Sequence, residues 1–248
     1  MSKLTYNDTM FVLSRLPKDI IDLMKNSGLL LAGGFIRETI AGGKVNDIDL
    51  FGPDKDKLEA ACMKLALARK GRMFGTDNAF TMLSPPRSPV QFITRWLAED
   101  YNEYVKLFDF TVCQAGIWWN PDIKGSEFNL YDDGGWDSAC HEDFYADLAA
   151  RRLVYTFPDR EEEAGGSFLR MKKFMKRGYD VQIGSMAGVM ARIVGKIKLG
   201  EHQLTDEKWV AKIITSILRE VDPLTIVDGV EVQDPVDGGR LIEITPRS

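Results

Sequence analysis

Apolar positions first recur at helical spacing over residues 17–27. Pro17 sits at a first-turn position, Ile20, Ile21, Leu23 and Met24 form a stripe, and Gly28 supplies the stop. The unbroken apolar run Leu29-Leu30-Leu31-Ala32 predicts a buried strand that ends at Gly33-Gly34, and residues 35–41 predict a short helix broken by Gly42-Gly43. Residues 46–51 alternate in character as a strand does. Gly52-Pro53-Asp54 then turns the chain into a helix to about residue 70, with Leu58, Ala61, Cys62, Leu65 and Ala66 on one side. Strands over 79–83 and 90–94 flank the turn signal Ser84-Pro85-Pro86-Arg87-Ser88 and read as a hairpin. A polar helix over 98–106, a strand over 108–113, a further strand at 129–131 and a helix over 140–152 follow. Helical spacing then dominates, over 168–178, 186–198 and 206–220, before a tail rich in Val, Asp and Gly that reads as loose strand.

This order predicts an α+β chain in two parts: a head over 1–158, and a small, mostly helical domain over 159–248 that ends in the tail. The acidic stretch 159–163 and Gly165-Gly166 mark the boundary. Composition narrows function without naming it. The 248 residues are 44% hydrophobic and 28% charged, enough to bury a core without staples. The net charge of −5 advertises neither a nucleic acid nor a membrane, although such an average can hide a local basic region. Cys62, Cys113 and Cys140 lack the close spacing of a disulfide framework or thiolate site, which fits a reducing, cytoplasmic setting. No window approaches the roughly 18 apolar residues of a membrane span. With only His141 and His202 present, a metal is expected on carboxylates.

Asp47 and Asp49 flank Ile48 on a predicted strand, so both carboxylates point one way and Ile48 the other. Side-by-side carboxylates repel unless a cation joins them, and oxygen-only ligation suits Mg2+ or Mn2+. The plain alternative is two solvated acids on an edge strand. The Gly33-Gly34 turn lies between a strand and a helix upstream of this pair, where backbone amides and the helix N-terminus form a phosphate cradle. Arg37, one turn further on, reads either as a phosphate contact or as an ion pair with Glu38 or Asp47. A P-loop is excluded, because Gly43-Lys44 is followed by Val45 and Glu38 stands five residues before Gly43.

The segment from Leu29 through Gly33-Gly34 to Arg37, followed by Asp47-Ile48-Asp49-Leu50, resembles the head of the polymerase β-like nucleotidyltransferase superfamily. CCA-adding enzymes and bacterial poly(A) polymerases are the nearest kin by pattern. The resemblance implies a mixed or antiparallel sheet flanked by helices. Phe108-Asp109-Phe110-Thr111-Val112 is similar to the family's Arg-Arg-Asp-Phe-Thr-Ile segment, making Asp109 the candidate third acid, either a metal ligand or a ribose contact; its plain reading is a strand cap. Leu107 and Phe108 replace the paired arginines. Tyr131 to Trp136 resembles the Asp-Pro-x-Gly-Gly approach to a neck, and the helix carrying Leu169, Arg170, Lys173 and Phe174 resembles the family's Leu-Arg-x-x-Arg-Phe helix. In the base-selecting motif before it, Glu163 remains, while Ala164 and Ser167 replace Asp and Arg, so no preference for CTP or ATP is implied. The likeness covers about residues 28–180.

The chemistry implied is metal-dependent transfer of NMP from an NTP to a hydroxyl, with release of pyrophosphate. Asp47, Asp49 and Asp109 hold divalent ions, while Gly33, Gly34, Arg37, Arg170 and Lys173 hold the nucleotide. Between 170 and 198 eight basic residues face one acid, Asp180. Arg170, Lys173 and Arg177 share a helical face opposite Met171, Phe174 and Met175, which reads as a phosphate-tracking surface or as a solvated helix face. Trp118-Trp119 reads as a stacking platform or, more ordinarily, as core. The leading expectation is template-independent addition to an RNA 3′ end. The alternatives are transfer to a protein or small-molecule hydroxyl, and a catalytically silent nucleotide- or RNA-binding relic.

Overall fold

Thr5 opens a helix that the apolar pattern did not mark, α1 (Tyr6–Arg15): its hydroxyl accepts the Asp8 N–H and donates to the Asp8 carboxylate. The computed structural model describes residues 1–97, 99–124, 133–159, 164–196, 207–217, 226–227, 230–231 and 240–242. After α1 come α2 (Lys18–Ser27), stopped by Gly28 in the left-handed region, β1 (Leu30–Ala32), α3 (Gly34–Ala41), β2 (Ile48–Phe51) and α4 (Lys55–Arg69), capped by Asp54. Then follow β3 (Arg72–Gly75), β4 (Ala79–Leu83), β5 (Val90–Ile93), α5 (Tyr101–Lys106), a 3-10 turn (Thr111–Cys113), β6 (Ala115–Lys124), β7 (Asp133–Cys140) and α6 (Phe144–Ala149). The remaining described elements are β8 (Arg152–Leu153), α7 (Ala164–Lys176), β9 (Asp180–Val181), α8 (Ile183–Lys196), α9 (Glu207–Ile217), β10 (Ile226–Val227), β11 (Val230–Glu231) and β12 (Arg240–Ile242).

Eight strands form one mixed sheet in the order β12-β3-β4-β5-β2-β1-β6-β7, and its one parallel pairing joins β2 to β5. Strand alternation places the chemistry. Along the apolar run, Leu29 and Leu31 enter the main core, while Leu30 and Ala32 enter a smaller cluster with Phe51, Tyr104 and Trp118 on the opposite face. Both faces of β1 are thus covered, which is why it reads as unbroken apolar sequence. On β2, Ile48 and Leu50 join the main core, so Asp49 shares the other face with Phe51.

The hairpin of β4 and β5 forms as the sequence predicts, with antiparallel register from Ala79↔Ile93 to Met82↔Val90. Three expectations are corrected. Residues 108–113 are not a strand: Phe110 makes a single bridge to Tyr155, and Thr111–Cys113 turn as a 3-10 helix. Gly134 and Gly135 stand inside β7 rather than before a neck helix, and the helix expected over 140–152 shortens to α6 because Ala115↔Cys140 still pairs β6 with β7. The strand expected at 129–131 lies outside the described residues. Strand β3 and most of β6 carried no periodic signal.

Among the described residues after 158, α7, β9 and α8 pack directly on the rest. Met171, Phe174, Val181 and Val189 lie in the same core cluster as Leu31, Ile36 and Phe110. Strand β8 pairs in parallel with β9, and the Ser185 hydroxyl accepts the Tyr155 N–H. Met175, expected on the core side, is exposed. Among the described residues, no helix is long and apolar enough to cross a membrane.

Candidate active site

The chain leaves β1 through Gly33, whose φ of 75° and ψ of −123° only glycine adopts without strain. Its N–H donates to the Ala115 carbonyl at 3.1 Å, and its carbonyl accepts the Arg37 N–H, which starts α3 in place. The N-terminus of α3 therefore opens onto a cleft of about 320 Å³ that Gly33 and Gly34 line. Asp47, immediately before β2, and Asp49, within it, line the same cleft. Helix α7 contributes Arg170, Lys173 and Phe174 to another wall, and Arg177 follows just past its end. Asn78, just before β4, Gln91 on β5, and Arg95 and Trp96 after it also line the cleft, as do Phe108, Asp109 and Cys113.

Each cation whose bonds are resolved here is held by a carboxylate. Arg37 is only 5% exposed: Nε and Nη2 donate to Glu38 Oε1 at 3.0 and 2.9 Å, Nη1 lies 3.4 Å from Cys113 Sγ, and the guanidinium stacks 4.7 Å from the Phe174 ring centre. Burial opposes its charge, but Cys113 and Glu38 more than offset this, so its pKa stands above its ordinary value. Arg177 donates to the same Glu38 oxygen at 3.3 Å. Arg170 Nε donates to Asp109 Oδ2 at 2.7 Å, with the Asp109 side chain only 2% exposed. Burial pushes the Cys113 thiol up to about 11, which keeps it neutral and excludes it as a nucleophile.

The structure thus brings Gly33, Gly34, Arg37, Asp47, Asp49, Asp109, Arg170 and Lys173 to one cleft, the last two by way of α7. The three acids do not form one cluster. Among the described residues, no three His, Cys, Asp or Glu side chains stand together as a metal site would need, and the Asp109 carboxylate is engaged by Arg170. Asp47 and Asp49 remain a two-carboxylate, oxygen-only donor set beside a phosphate cradle, which fits a hard divalent cation completed by ligand oxygens. Arg37 takes its plain reading as the ion-pair partner of Glu38; sequence reasoning missed that Glu38 also holds Arg177, and it missed Cys113, Asn78, Gln91 and Trp96, none of which carries a local signal. Trp118 and Trp119 take their ordinary reading: Trp118 packs on Tyr101, and Trp119 on Trp136 and Lys25.

A mixed sheet whose glycine turn and acid-bearing strand meet a cationic helix is the fold that solved CCA-adding enzymes share. The Thermotoga maritima CCA-adding enzyme complexed with tRNA aligns over 87% of this chain and 51% of its own, with a TM-score of 0.51 and 17% identity. A CCA-adding enzyme complex with CTP aligns over 87% of this chain and 50% of its own, with a TM-score of 0.50 and 17% identity. Within that fold, the chain belongs to the Gabija anti-defense 2 family, which matches residues 3–151. A protein of Bacillus phage SPbetaL7 called Gabija anti-defense 2 is 24% identical over 168 residues. The match takes in 67% of this chain and 37% of the phage protein, so the chain corresponds to well under two thirds of that relative and to about half of each enzyme.

Proposed function

We propose that the protein transfers NMP from an NTP to a hydroxyl acceptor, with release of pyrophosphate. The supporting observation is the convergence of Asp47 and Asp49 with the Gly33-Gly34 turn and the cationic face of α7 on one cleft. A divalent cation on Asp47 and Asp49 supplies charge neutralisation at the triphosphate and lowers the pKa of the attacking hydroxyl. The chain's own groups position the substrate. The first-turn N–H groups of α3 hold phosphate oxygens, and Lys173, Arg170 and Arg177 approach from the other side. The acceptor oxygen, losing its proton, bonds to the α-phosphorus as the bond to the bridging oxygen breaks and pyrophosphate departs. Asp109 keeps Arg170 aimed at the nucleotide, or receives the ribose when Arg170 turns to phosphate.

The acceptor we favour is an RNA 3′ end, on the strength of the basic α7 face and of the tRNA and CTP carried by the similar enzymes. The family's description as anti-defense favours a second reading, in which a host protein hydroxyl takes the NMP. In both readings 159–248 acts as a neck-like part that completes the cleft. Incubation with Mg2+ or Mn2+ and each labelled NTP, with RNA or with host protein extract, separates the two by where label appears. Label on neither, or full transfer by the Asp47→Asn, Asp49→Asn double variant, sinks the enzymatic proposal and leaves a binding relic.

A further inference from the structure

Behind the loop that leads into Asp47 lies a second cavity of about 600 Å³, which shares no lining residue with the cleft. Three arginines reach it from three elements: Arg15 from the end of α1, Arg69 from the end of α4, and Arg87 from the turn between β4 and β5. The Arg69 side chain is 2% exposed. Its Nε and Nη2 donate to the two Asp19 oxygens at 2.7 and 2.8 Å, and its Nη1 is enclosed with no hydrogen-bond partner. Arg87 stands 3.9 Å from the same carboxylate with a side chain 58% exposed. These three guanidiniums and one carboxylate leave an excess of two positive charges around the cavity. Thr39, on α3, adds a hydroxyl that is likewise enclosed and without a partner.

Enclosed donors are costly when nothing accepts from them, and an anion that enters beside Arg69 relieves that cost. The rim supplies a different chemistry: Phe11, 41% exposed, and Pro86 present apolar surface at the mouth. We propose that this cavity binds a small phosphate monoester, with the phosphoryl oxygens on Arg69, Arg87 and Thr39 and the apolar part of the ligand against Phe11 and Pro86. Arg87 swings from Asp19 onto the ligand as it enters, and so gives access to Arg69. The site is independent of the transfer reaction. Its wall includes Gly42, Gly43 and Val45, the loop that presents Asp47, so the ligand lies directly behind one of the cleft's acids.

The test is isothermal titration of the full chain with phenyl phosphate, with inorganic phosphate as the reference anion, and with divalent metal omitted. The expected result is saturable binding in which phenyl phosphate exceeds phosphate. Arg87→Ala, at an exposed side chain, should weaken it roughly tenfold, the loss of one charge-assisted contact, and Arg15→Ala, which removes a lining charge and the cation over Phe11, should weaken it by less. Lys173→Ala, in the cleft, should leave it unchanged. The proposal is overturned if no saturable heat appears, if neither arginine variant weakens binding, or if Lys173→Ala abolishes it, since the anion would then occupy the nucleotide cleft. Equal affinity for phosphate and phenyl phosphate would overturn the apolar half of the assignment.

Discussion

The bond between Asp109 and Arg170 ties the head to α7, and its two ends sit in unlike environments. The Asp109 side chain is 2% exposed and that of Arg170 35%. Arg170→Ala therefore takes the guanidinium from a buried carboxylate, which costs about 3–5 kcal/mol when one partner of a buried pair is removed. Asp109→Asn leaves an oxygen that still accepts and a cation with access to water, so it costs about 1–2 kcal/mol. The double variant Asp109→Asn, Arg170→Ala removes both charges, and its cost should lie near that of Asp109→Asn, giving a coupling energy of about 3–5 kcal/mol. Urea unfolding of the four proteins measures each cost. In thermal unfolding, Arg170→Ala should lower Tm by roughly 6–20 °C, at about 2–4 °C per kcal/mol for a chain of this size. Equal destabilisation by the two single variants, or a coupling below about 0.5 kcal/mol, refutes the reasoning. A third outcome is also informative: Asp109→Asn that abolishes transfer at unchanged stability would return Asp109 to the metal or the ribose.

Three further outcomes are expected. Gly33→Ala should cost about 1–3 kcal/mol because a side chain is strained at φ 75°; Gly34→Ala, whose added carbon meets only Arg37 Nη2 at 3.7 Å, should keep stability in urea unfolding and weaken NTP binding. Asp19 lies below its ordinary value of 3.8, first through its hydrogen bond from Arg69. A depressed folded pKa stabilises fully above the unfolded value, so this contribution should be intact above about pH 4 and lost on acidification through the lower folded pKa; Asp19→Asn should flatten unfolding midpoints across that window. Burial pushes Cys113 and Cys140 up to about 11 and Cys62 further, so native protein at pH 8 should resist iodoacetamide while denaturant exposes all three thiols, as mass spectrometry would count them.

Much of the glycine- and acid-bearing half of the cleft was legible because it is local. Gly33-Gly34 and Asp47-x-Asp49 obey rules that act within a few residues: positive φ at a turn, and alternation along a strand. The signals for α1 were equally local, since Thr5 and Asp8 form a capping pair, but they lay outside a strong apolar stripe. What escaped depends on distant chain. Strand β7, at the sheet edge, holds Gly134 and Gly135 against side chains of its neighbour β6, with Trp119 against Gly134 and Ile123 against Gly135. The residues 108–113 look like a strand by composition, yet tertiary demands override this: Thr111 donates to the buried Asp147 carboxylate, and Phe110 packs between Tyr155 and Phe174. The pairing of Glu38 with Arg177 spans 139 residues, and no periodicity announces it.

Helix α7 also divides the cleft's labour along the chain. The glycine turn and the acids lie within residues 3–151, the stretch the family shares, whereas Arg170, Lys173 and Arg177 lie beyond it. The glycines and acids of the cleft and its α7-side cations are therefore encoded in separate stretches of the chain. On the proposed reading, exchange of the stretch that carries Arg170, Lys173 and Arg177 alters the grip on the ligand and leaves the glycine turn and the acids in place.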